Sequence, residues 1–70
     1  MSVSPSTLAK RLATARTNMG MTIEDVAEES LVPADVIRRI EQEGNPTSIQ
    51  IHWLSKAYRV PLSQLLRAEE

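Results

Sequence analysis

Seventy residues supply one hydrophobic core and no second, because a chain this short buries only about 60% of the surface its unfolded form exposes. The absence of Cys excludes disulfides and thiolate metal sites, and the lone His52 does not furnish a zinc centre, so neither a metal nor a cofactor is expected. A net charge of −1 argues against an unselective coat for nucleic acid, whose binding rests on cationic phosphate contacts.

With 41% hydrophobic and 24% charged residues the composition is that of a globular domain. The longest uncharged apolar runs are too short to cross a bilayer. The opening Met1-Ser2-Val3-Ser4-Pro5-Ser6 lacks the basic start and apolar core of a secretory signal, so a soluble cytoplasmic protein is expected. Residues 1–5 read as a flexible tail, 6–68 as a single domain, and Ala68-Glu69-Glu70 as a fraying end. Charge is segregated along the chain. Residues 1–20 hold Lys10, Arg11 and Arg16 with no acid, whereas 21–30 hold Glu24, Asp25, Glu28 and Glu29 with no base.

Leu8, Leu12, Ala15 and Met19 advance by four, three and four, the stripe of an amphipathic helix. Ser6 or Thr7 is positioned to cap its start, and Gly20 suits the left-handed residue that ends it. Thr22 with Asp25 three residues on predicts a variant capping box, and Glu24 and Asp25 favour the positive end of a short second helix running to about Glu29. Ser30-Leu31-Val32 makes a brief connection. Pro33 fits the first turn of a third helix with Val36, Ile37 and Ile40 inward, and Gly44-Asn45-Pro46 stops it. Thr47 or Ser48 caps a fourth helix with Ile51, Leu54, Ser55 and Tyr58 inward. Pro61 opens a short fifth with Leu62, Leu65 and Leu66. The expected fold is all-α, with a core of Leu8, Leu12, Val26, Ala27, Val32, Ile37, Ile40, Ile51, Leu54 and Leu65.

The second and third helices, joined by about three residues, make a helix-turn-helix candidate over about 22–43, in which the second member of the pair enters a DNA major groove. From residue 7 to 67 the chain resembles the Cro and phage-repressor (XRE-like) helix-turn-helix family, on "ARTNMGMT", "TIEDVAEES", "IRRIEQEGNP" and "LSKAYRVPLSQLL". The resemblance implies a compact five-helix domain of the lambda-repressor-like type and a sequence-specific, operator-binding transcriptional regulator. It also implies a structural ion pair between Arg16 and Glu41. Groove-reading positions fall at Pro33 and on Ala34, Asp35, Arg38 and Arg39, where Ala34 meets a thymine methyl, Asp35 accepts from a cytosine amino group and Arg39 forks onto a guanine edge.

Two positions depart from that pattern. Ile23 stands where the family often has Gln at the start of the second helix and offers no hydrogen bond to a phosphate. Leu31 replaces the turn glycine, so either the turn has a different geometry or Leu31 bears strain at positive φ. A turn of this kind, with "TIEDVAEES" and "IRRIEQEG", is also similar to the cytoplasmic domain of the RodZ-type cell-shape proteins, which implies a protein-binding adaptor as the alternative.

Backbone contacts to double-stranded DNA are expected from Lys10 and Arg11 on the first helix and from the amides at Asn45, Thr47 and Ser48 at the start of the fourth. Ile49 and Trp53, four apart and outward in this register, with His52 beside them, are the candidate centre and rim of a homodimer interface. No phosphate-cradling glycine loop and no nucleophile-base signature occur, so no catalytic residue is expected.

Overall fold

The computed structural model describes residues 3–68, and among them the chain forms α1 (Pro5–Asn18), α2 (Ile23–Ser30), α3 (Ala34–Glu43), α4 (Ser48–Tyr58) and α5 (Leu62–Leu65), with no strand. The all-α class and the five-helix order are those the hydrophobic stripes predict.

The start of α1 lies earlier than Ser6 or Thr7. Ser4 is the cap, its Oγ accepting the Thr7 N–H at 3.3 Å, and Pro5 takes the first helical position, where its ring is preorganised and its missing N–H costs nothing. Val3 and Pro5, expected in a flexible tail over 1–5, instead pack against the core and open α1, respectively; residues 1 and 2 lie outside the described residues, as do Glu69 and Glu70 of the expected fraying end. Leu8, Leu12 and Ala15 are buried, but Met19 is exposed because it is already the C-cap, past the last turn that faces the core. Gly20 follows at φ 69°.

The capping box of α2 is complete: Thr22 Oγ1 accepts the Asp25 N–H and Asp25 Oδ2 accepts the Thr22 N–H, each at 3.0 Å. Val26 is fully buried and Ala27 packs half-buried against the core. Ser30 ends the helix rather than opening the connection. Leu31 caps it in the left-handed region at φ 64°, so of the two geometries the sequence leaves open, strain at Leu31 is the one adopted. Pro33 is the N-cap of α3, one position before its first turn, and its carbonyl accepts the Ile37 N–H at 3.0 Å.

Ile37 and Ile40 fill the centre of the molecule from α3. Gly44 closes that helix at φ 72°, with its N–H on the Ile40 carbonyl at 2.8 Å, and a Cβ there would overlap the Pro5 backbone. Both the backbone conformation and the close approach of α1 require glycine. Thr47 caps α4 through a second capping box with Gln50. Ile51, Leu54, Ser55 and Tyr58 turn inward, and Arg59 ends the helix at φ 57°. In α5, Leu65 is buried and Leu62 partly so, whereas Leu66 is exposed. Helix α3 packs on α1 and α2, α4 packs on α1 and α2, and α5 closes over α1 and α4.

Candidate nucleic-acid interface

Ser30 is the residue that shapes the turn between α2 and α3. It is buried, and its Oγ accepts the Val32 N–H at 3.3 Å, which draws Val32 into the core while Leu31 is pushed out to 75% exposure. Ser30, expected in the connection, thus acts from the end of α2, and a serine two residues before a buried Val is the signal that marks this role. Ile23, where a phosphate-binding Gln is often found, packs against the core instead, so its apolar side chain serves the fold.

The outer face of α3 is set by what its inner face buries. With Ile37 and Ile40 inward, Asp35, Arg38 and Arg39 stand exposed and Ala34 is half-buried. Arg39 has no hydrogen bond or ion pair among the described residues. Arg38 reaches Glu24 Oε2 with Nη2 at 3.3 Å, with both side chains mostly in solvent. Such an exposed pair contributes at most about 1 kcal/mol, so an incoming phosphate or base displaces it at little expense.

Behind that face, Arg16 Nε donates to Glu41 Oε2 at 2.7 Å and Arg16 Nη2 to Glu41 Oε1 at 3.0 Å, while Arg16 Nη1 holds the Met21 carbonyl at 3.0 Å. The hydrogen bond to Glu41 holds the Arg16 pKa above its ordinary value, against the opposing effect of burial. Tyr58 lies in the same interior with its hydroxyl buried and unpaired among the described residues. Burial raises its pKa, the Glu41 charge adds to the rise and Arg16 opposes it.

The expected backbone contacts divide. Lys10 is exposed and lines a groove between α1 and α5. Arg11 is engaged on one side: its Nη1 donates to the Leu65 and Arg67 carbonyls at 3.1 and 2.6 Å, because the last carbonyls of a short helix need donors, and only the rest of the guanidinium is left for an outside partner. At the start of α4 the Thr47 and Gln50 amides are consumed by the capping box, at 2.9 and 3.2 Å, which leaves the Ser48 and Ile49 amides to meet an anion beside the exposed Asn45.

The outward pair on α4 is also corrected. Ile49 is 64% exposed, but Trp53 is partly buried and packs against the core, with the His52 ring set edge-on to it at 5.6 Å between centroids. Met19, Leu31 and Leu66 are further large apolar residues exposed to solvent.

A helix-turn-helix domain family model matches residues 11–48, more than half the chain, and takes in the whole of α2, the turn and α3. The chain belongs to this helix-turn-helix family. A search of curated proteins finds no match. In this helix-turn-helix domain the matched span ends as α4 begins and includes both Arg16 and Glu41. No helix is long and apolar enough to cross a membrane among the described residues.

Proposed function

We propose that the domain is a sequence-specific DNA-binding transcriptional regulator that lays α3 in the major groove. The observation that carries this reading is Arg39, exposed and unpaired among the described residues on the outer face of α3 alongside Asp35, above a helix pair joined at the Ser30 turn and packed through the buried Val26 and Ile37. Arg39 forks onto a guanine, Asp35 accepts from a cytosine, Ala34 meets a thymine methyl and Arg38 exchanges Glu24 for DNA. The Ser48 and Ile49 amides, with Asn45 and the Thr47 side chain beside them, take a backbone phosphate. The reading assigns catalysis to no side chain and suits the cytoplasm. Selection from a random duplex pool at low salt tests it: an enriched motif is expected, and Arg39→Ala relaxes preference at one base pair at a cost of about 1–3 kcal/mol.

A regulator of this size covers a short half-site, and two copies about a two-fold axis gain affinity through effective concentration. We propose Ile49 as the centre of that contact with His52 at its rim. Sedimentation checks it, with Ile49→Ser expected to be a folded monomer. Trp53→Ala is expected to lower stability by roughly 1–3 kcal/mol, less than a fully buried Trp, because the indole is only partly covered.

One observation favours a second reading. Glu24, Asp25, Glu28 and Glu29 are exposed on α2, next to α3, and repel phosphates. A pool that yields no enriched sequence assigns the domain to binding a basic protein partner through this acidic face.

A further inference from the structure

The groove between α1 and α5 has a volume of about 310 Å³, at the lower limit of small-molecule sites. Its lining includes three cations, Lys10, Arg11 and Arg67, together with Thr14, Asn18 and Gln64, and no Asp or Glu among the described residues. In a molecule of net charge −1, this is a marked separation of positive charge. Lys10 and Arg67 have no side-chain hydrogen bond or ion pair among the described residues. Arg11 is held in place by the two carbonyls on Nη1, which leaves Nε and Nη2 to bind something else.

Three cations on one concave surface repel one another, and an anion that enters relieves that repulsion. A singly charged carboxylate offers two oxygens to this set. A phosphomonoester brings nearly two charges and three strong acceptor oxygens, which match a fixed guanidinium, an ammonium and flanking amide and hydroxyl donors. We propose that the α1–α5 groove binds a small phosphorylated molecule, with the phosphoryl group on Lys10, Arg11 and Arg67 and the remainder against Asn18 and Gln64. The ligand bridges α5, a helix of only four residues, to α1. This site is separate from the α3 face and does not depend on DNA being its partner.

Titration of the 15N-labelled domain with glycerol 3-phosphate and with a nucleoside monophosphate, followed by amide chemical shifts, tests the proposal. At least one is expected to give saturable shifts at Lys10, Thr14, Asn18 and Gln64, glycerol alone to give none, and Lys10→Ala and Arg67→Ala each to weaken binding about tenfold. Both side chains are exposed, so both variants are expected to fold. No saturable shift with either probe overturns the proposal, as does succinate binding equally well, or unchanged affinity in both variants. A random-sequence duplex that shifts the same amides, with the same loss in both variants, reassigns these cations to the DNA backbone and also overturns it.

Discussion

The side chains of Arg16 and Glu41 meet in a two-bond fork that ties α1 to α3 across 25 residues of chain, with a third bond from Arg16 to the Met21 carbonyl. Removing either partner strands a largely buried charge, so Arg16→Ala or Glu41→Ala is expected to cost about 3 kcal/mol, at the lower end of the range for buried pairs. Arg16→Lys keeps the charge and loses the fork, and is expected to fall between wild type and Arg16→Ala. Urea unfolding of the three variants checks the order.

Tyr58→Phe is expected to raise stability by about 1–2 kcal/mol, because it deletes a buried hydroxyl with no partner among the described residues and keeps the ring that fills the core. The same residue sets a pH dependence. Its folded pKa is raised above the ordinary 10.0 mainly by burial, so the protein is fully stable below that value and loses stability as pH rises beyond it. Above about pH 10 the loss approaches 1.4 kcal/mol per pH unit and is absent in Tyr58→Phe. Urea midpoints at about pH 9 and about pH 11 read both effects; equal alkaline losses in the two proteins would count against Tyr58.

Leu31→Gly is expected to be neutral or to raise stability by up to about 1 kcal/mol. Relief of the left-handed strain is partly offset by the greater freedom of glycine when unfolded. The variant also removes an exposed apolar side chain, so solubility rises with it. Thermal unfolding and the concentration at which the protein aggregates are the measurements.

Gly44→Ala acts in the opposite sense. It adds left-handed strain to an overlap with the Pro5 backbone, which has no flexible end to yield, and is expected to cost roughly 2–4 kcal/mol. Gly20→Ala has the same backbone strain but open space around it, and is expected to cost about 1 kcal/mol. The difference between the two isolates the contact of α3 with α1.

The fold was largely legible in the sequence because each helix carries both an apolar stripe and an end signal. Thr22 with Asp25, Gly20 and Gly44 bound helices from local chemistry alone, which no tertiary contact overrides. Ser4 was missed because the stripe begins only at Leu8, while Pro5, which fixes the start, leaves no periodic mark. Register alone placed Trp53 outward. An indole is wide enough to fold its edge back over the core from a flanking position, and residue spacing does not encode that reach. For the candidate interface, α3 and its outer face follow from Ile37 and Ile40. The engagement of Arg11 with the Leu65 and Arg67 carbonyls does not, since it joins positions more than fifty apart by a bond between a side chain and backbone, which no pattern of residue types predicts.

That distant bond has a consequence for the order of events during synthesis. Residues 5–18 are made before the other helices of the domain, yet the flank of α1 that carries Arg11 packs against α5 and the Arg67 carbonyl, made more than forty residues later. At roughly 5–20 residues per second that interval lasts seconds, far longer than a helix or a hairpin of helices takes to form. During it α1, α2 and α3 are able to associate through Leu12, Val26 and Ile37, with the Arg11 guanidinium still solvated. Among the helices of the domain, the contact of α5 with α1 is then the last to form, and a released fragment that ends before Leu62 is expected to leave this flank of α1 open to protease.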